Sequence, residues 1–177
     1  MDEQGIISNR FQDEDEEILQ LVCFMFADEQ YAVDIKDVQA VIRVQKITYV
    51  PQMPDFVLGV INIRGNIIPV FDLRRKFGLR EKAFNDNTKM IVVDIDASQI
   101  CFIVDEILDN IKIGTSRVVP APNVKMKVNR ECIQGIGKLE GRMIIVLDLK
   151  ELHNSILEDI KELTSKESLP DSRPSGA

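Results

Sequence analysis

Apolar residues in this chain come in short runs cut by pairs of polar ones. Leu21–Phe26 (LVCFMF) and Tyr31–Ile35 (YAVDI) flank a polar turn, Ala27–Gln30 (ADEQ), the pattern of a β-hairpin. Val57–Leu73 reads VLGVINIRGNIIPVFDL. Ile61 and Ile63 alternate with Asn62 and Arg64, and Gly65 supplies a turn residue that tolerates positive φ. Ile67, Ile68, Val70 and Phe71 then make an almost unbroken run, as in a strand covered on both faces. Pro69 cannot donate a ladder hydrogen bond, so one side of that strand should be an edge or a bulge. Lys36–Ile42 fits a short helical face or a bent strand. Lys150–Leu163 spaces Leu152, Ile156, Ile160 and Leu163 at helical intervals and predicts an amphipathic helix.

The same elements occur twice. Leu21 maps onto Met90, Gln30 onto Gln99 and Ile35 onto Val104, all at an offset of 69 residues. Gly59, Gly65, Val70, Asp72 and Leu73 map onto Gly135, Gly141, Val146, Asp148 and Leu149 at an offset of 76. A longer loop around Pro120-Ala-Pro122 absorbs the difference. Two copies are too few for a solenoid, and each holds strands enough for a small barrel that hides its sheet edges. The expectation is a mostly β fold of two similar β-barrel subdomains packed together, about 18–85 and 86–152, with short helices and a C-terminal helix. Such small barrels need each other to bury a sufficient core. Residues 1–17 carry the acidic block Asp13–Glu17 and read as a flexible tail. Residues 156–177 read as the end of the helix and a polar tail, with 164–177 fraying.

Composition narrows the function. The 177 residues carry a net charge of −7, which argues against a nucleic-acid partner. No apolar run approaches the length of a membrane span. Cys23, Cys101 and Cys132 are widely spaced and odd in number, as buried thiols of a reducing cytoplasm are. His153 stands without a nucleophile motif. No zinc or calcium ligand spacing occurs, so neither a metal nor a cofactor is expected. Asp72 and Asp148 are equivalent in the two copies, the arrangement of an acid-dependent hydrolase dyad. Each is followed by Leu and a basic residue opening a helix-like segment, which favours a helix N-cap. The residues therefore point to a non-enzymatic protein that binds partners through apolar grooves and edges.

Four segments in order, YAVDIKDVQAVIR, GVINIRGNIIPVFDL, Asn85-Asp86-Asn87-Thr88 and IVDEILDNI, resemble the CheW family, the coupling proteins of bacterial chemotaxis, over residues 18–155. The resemblance implies two intertwined five-stranded SH3-like barrels with a hydrophobic groove between them. It implies an adaptor in the cytoplasm, recruited to membrane receptor arrays, bridging methyl-accepting receptors to the regulatory domain of the histidine kinase CheA. A coupling module of the CheV or kinase-regulatory type is the alternative. Val38, Ile42, Arg64, Ile107 and Asn110 are the receptor-binding positions it suggests; Ile35 and Val104 also border the groove but read as core. Ile47, Tyr49 and Val50, with Val119 and Val124, are the corresponding kinase-binding positions. Many family members carry Glu where this chain has Ala40, which removes one internal partner for Arg64.

Overall fold

A computed structural model describes residues 16–168. Asp13, Glu14 and Asp15 of the acidic block and residues 169–177 lie outside them. The strands are β1 (Ile18–Phe26), β2 (Glu29–Asp34), β3 (Val38–Arg43), β4 (Val57–Ile63), β5 (Asn66–Phe71), β6 (Lys89–Ile95), β7 (Ser98–Val104), β8 (Glu106–Gly114), β9 (Val118–Val119), β10 (Ile133–Leu139) and β11 (Arg142–Leu147). Helix α1 (Leu73–Lys76) follows β5 and α2 (Leu149–Ser168) follows β11. The Lys36–Ile42 segment resolves into a 3-10 turn, Ile35–Asp37, and β3.

All four hairpins close through two residues of positive φ: Ala27-Asp28, Arg64-Gly65, Asp96-Ala97 and Glu140-Gly141. These are type I′ turns, whose twist matches that of the flanking strands. Asn62 Oδ1 accepts a hydrogen bond from the Gly65 N–H at 2.9 Å, so its role in the turn is to hold the chain reversal.

The strands form two sheets, ordered β8-β1-β2-β11-β10-β9 and β3-β6-β7-β5-β4. The sheets do not follow the sequence repeat. Residues 18–85 and 86–152 are the two copies, but each copy's first hairpin pairs with strands of the other copy. One barrel is continuous in sequence, from β3 to β7. The other is split, built from β1–β2 and β8–β11. The repeat persists in the pairing: β2 meets β11 in parallel through Ala32 and Val146, and β7 meets β5 in parallel through Cys101 and Val70. That second contact covers only Val70 and Phe71 of β5, so Pro69 faces no ladder on that side. Ile67, expected to be covered, is 62% exposed, because β5 projects past β7 at this end.

Exchange of the hairpins explains their apolar content. Leu21 and Cys23 of β1 point into a small cluster with Ile111, Ile113 and Val146 inside the split barrel. Val22, Phe24 and Phe26 point the other way, into a central core shared with Val93, Phe102, Leu149, Leu152 and Ile156. Both faces are buried, so strict alternation is lost. The continuous barrel has its own cluster, with Ile61, Ile68, Val70, Met90 and Cys101 buried and Ile42 and Ile47 packed against it. Strand ends from both sides of each sheet reach the same cluster, which closes the barrel.

Gly59 and Gly135, shared by the copies, have a common cause. A Cβ on Gly59 would lie 2.1 Å from the Thr48 carbonyl oxygen, and one on Gly135 would lie 2.7 Å from that of Val119. Thr48 bridges Val60 and Val119 pairs Ile136, so the same crossing strand presses on each glycine.

Helix α2 runs five residues beyond Leu163, to Ser168, further than the expected fraying point. Its anchor is Lys76, whose side chain is 1% exposed and donates to Ser155 Oγ at 2.8 Å and Asp159 Oδ2 at 2.7 Å. The ammonium also lies over the Phe56 and Phe77 rings.

Candidate binding surfaces

The acidic residues that resemble a catalytic pair are spent on structure. Asp72 Oδ1 accepts from the N–H groups of Arg74 and Arg75 at 2.9 and 3.3 Å. Asp148 Oδ1 accepts from the Glu151 N–H at 3.0 Å. Each caps its own helix, satisfying N–H groups that have no intrahelical partner. Among the described residues no group of His, Cys, Asp or Glu is arranged to hold a metal ion. His153 lines an apolar groove of about 420 Å³ with Met53, Pro69, Phe71 and Leu157. The three cysteines are free and buried. Burial pushes the Cys23 thiol up to about 11 and the Cys101 thiol up to about 12, which keeps both protonated and unreactive at neutral pH.

The positions expected to bind the receptor fall in two places. Val38 and Ile107 are repeat equivalents: Val38 pairs Val93, and Ile107 pairs Phe24. Both are half-buried and pack against the central core from the outer strands of the two barrels. Val104 is fully buried, and Ile35 is partly exposed. Asn110 is exposed on β8. Ile42 lies elsewhere, against the core of the continuous barrel, and lines a cleft of about 300 Å³ with Arg64, Gln39, Ala40, Asn66 and Gln99. Arg64 is exposed at the β4–β5 turn, and its guanidinium makes no hydrogen bond or ion pair among the described residues.

The positions expected to bind the kinase flank the edge strands: Ile47, Tyr49 and Val50 adjoin the Thr48 bridge to β4, Val119 is in β9 and Val124 lies in the loop after it. Tyr49 is 73% exposed and Val124 62% exposed, with Val119 partly so. Val50 is half-buried. Ile47 packs against the continuous barrel's core, so its main role is to support the bridge at Thr48. Thr48 and Val119 make equivalent pairings, and the two surfaces are therefore related by the repeat.

Sequence reasoning missed two charged arrangements. Arg74 Nη2 donates to Asp105 Oδ2 at 2.6 Å, with both side chains 14% exposed. The same oxygen accepts from the Ala27 N–H at 3.0 Å, and Arg74 stacks over Phe26. Asp105 lies where the chain passes from one sheet to the other, so this pair fastens α1 of the continuous barrel to the β1–β2 turn of the split one. In the second arrangement Arg142 grips Asp109 through two 2.9 Å bonds and Gln30 through a third, 3.0 Å long. Arg142 holds the Asp109 carboxyl below its ordinary value, and Asp109 raises Arg142 in return. The offset of 69 that places Ala40 opposite Asp109 was the available signal.

What this fold and these surfaces define is a binding scaffold. Residues 20–157 match the CheW-like domain family. The chain is 34% identical to chemotaxis protein CheW of Helicobacter pylori, over 80% of this chain and 85% of that one. It is 32% identical to chemotaxis protein CheW of Bacillus subtilis, over 85% of this chain and 92% of that one. Its fold is similar to the crystal structure of the scaffolding protein TtCheW from Thermoanaerobacter tengcongensis, with a TM-score of 0.70 and 34% identity, covering 75% of this chain and 90% of that chain. The chain belongs to the CheW-like family, and it is a chemotaxis adaptor, not an enzyme. No helix among the described residues is long and apolar enough to cross a membrane.

Proposed function

We propose that this chain couples methyl-accepting chemotaxis receptors to the regulatory domain of the histidine kinase CheA, and that it works in the cytoplasm at the membrane arrays those receptors form. The observation that carries this reading is the pair of repeat-related sheet ends. Tyr49 next to the Thr48 bridge and Val119 on β9 are exposed at the two ends, and Val124 is exposed in the loop after β9. A duplicated domain with two similar ends can join two neighbours at once, which is what an adaptor in an extended assembly requires. Tyr49 and Val50 at one end, and Val119 and Val124 at the other, take the kinase. Val38, Ile107 and Asn110, with Ile42 and Arg64 at the cleft, take the receptor, whose helical tip lays an apolar stripe against them.

Reconstitution tests the reading. Mixed with receptor-bearing membranes and kinase, the chain raises kinase autophosphorylation. No enhancement with any cognate receptor overturns the adaptor function. Tyr49→Ser and Val124→Ser each weaken capture of the isolated kinase regulatory domain; unchanged binding by both rejects these two surfaces.

A further inference from the structure

Comparing the barrels position by position singles out one unfilled place. In the split barrel Asp109, Arg142 and Gln30 lie together, tied by three hydrogen bonds that join β8, β11 and β2. Their equivalents in the continuous barrel are Ala40, Asn66 and Gln99. Alanine offers no acid, asparagine no cation, and the place is an open cleft of about 300 Å³. The Gln99 amide turns away to the Gln39 side chain, which itself donates to Asp94 at 2.9 Å. A cation does reach the cleft, from the other side of the hairpin: Arg64, at the turn, lines it and has no acidic partner among the described residues.

The geometry points to this cleft as a carboxylate-accepting subsite, filled by an Asp or Glu side chain on the receptor's helical tip. The acid that Asp109 supplies from within the split barrel is supplied to the continuous barrel by the partner. Charge complementarity carries the assignment. Arg64 offers a planar fork of donors that matches a carboxylate, and the half-buried Ile42 and Ile63 line the same cleft. The inference rests on the receptor-coupling reading and names the chemistry that this part of the receptor surface recognises.

Two variants of the full chain test it, with a receptor hairpin-tip fragment and the kinase regulatory domain as separate probes. Ala40→Asp with Asn66→Arg rebuilds the split barrel's ion pair inside the cleft and leaves Arg64 in place. Arg64→Glu reverses the cleft's charge. Each is expected to weaken hairpin binding about tenfold or more, as loss of an interfacial charge pair does, with an unchanged thermal melt and unchanged binding of the kinase domain. Replacing one acidic hairpin residue by Lys is expected to restore binding to Arg64→Glu. The subsite is overturned if the Ala40→Asp, Asn66→Arg chain binds the hairpin as the parent does, or if no single acid-to-lysine change rescues Arg64→Glu. Rescue by a kinase acid instead overturns the receptor as its source. Should the parent chain bind no hairpin at all, the coupling reading itself fails.

Discussion

The two barrels share a fold and differ in how each is finished. In the split barrel the end of the β10–β11 hairpin is closed from within by Arg142, Asp109 and Gln30. In the continuous barrel the matching place is open, and Arg64 stands beside it unpaired. The junctions between barrels differ in the same way. Arg74 and Asp105 make a 2.6 Å pair that is largely buried, whereas the repeat counterpart of Arg74, Lys150, reaches Asp96 at 3.8 Å in solvent. Duplication supplied two copies of one scaffold. What was then changed is mostly polar and lies at the rims, while what was kept is largely apolar or glycine, with the two capping aspartates. Architecture tolerates little variation, so specificity accumulates where a substitution costs the core nothing.

The shared architecture sets the largest expected effect. Gly59→Ala puts a methyl group against the Thr48 carbonyl oxygen and forces an L residue to φ 143°. It should cost about 3 kcal/mol or more, from overpacking and backbone strain together. Gly65→Ala is the control: its Cβ meets nothing within 4 Å, so only the φ penalty of about 1 kcal/mol remains. Equal losses in urea unfolding would break the claim that the crossing strand, and not the turn, dictates the repeat.

The junctions come next. Asp105→Ala strands Arg74 and the Ala27 N–H in a largely buried site and should cost about 3 kcal/mol. Lys150→Ala removes an exposed pair and should change stability by no more than about 0.5 kcal/mol. Matching melting temperatures would sink the distinction between a fastened and a loose junction. For the helix that completes the central core, Lys76→Met keeps the aliphatic packing but leaves Asp159 and Ser155 without their donor. Amide exchange in α2 should then quicken more than in β6 or β7, and uniform exchange would reject Lys76 as the anchor.

The smallest effect concerns the split barrel's closure. Asp109 is held below its ordinary value of 3.8, chiefly by the hydrogen bond from Arg142. The stability this pair adds is therefore fully present above that ordinary value, and it is lost as the pH falls through the lower folded-state value. The pair is half-exposed, so its worth is about 0.5 kcal/mol. Asp109→Asn should lie slightly below the parent at pH 7 and converge with it in strong acid. A constant gap across that range would mean that the aspartate acts through packing and not through charge.

Much of this was legible in the sequence. The hairpins, their turn positions, the capping role of Asp72 and Asp148 and the buried state of the cysteines follow from local pattern and chemistry, which depend on residues close together in the chain. Tyr49 and Val124 are exposed where surface positions were expected. Ile47 and Ile42 instead pack against a barrel core, because an apolar residue near a turn carries no mark of which side it will face. The Arg74–Asp105 and Arg142–Asp109 pairs join residues 31 and 33 positions apart, and charges on separate strands meet only once register is set.

By itself the sequence determined that the molecule is duplicated and that each copy alternates hairpins with helical turns, and it favoured a capping role for the paired aspartates. The tertiary structure alone decided that the copies exchange their first hairpins. The reason is physical. An apolar pattern tells a strand which face to bury but not which neighbour to choose, and β1–β2 and β6–β7 carry nearly the same pattern. Either hairpin fits either set of partners locally. The choice is made by chain connectivity and by a shared core, in which Phe24 and Phe102 lie with ring centroids 6.0 Å apart. The cleft beside Arg64 has a different origin: Ala40 and Asn66 stand at the repeat positions of Asp109 and Arg142, and only the folded chain shows that the place is left open.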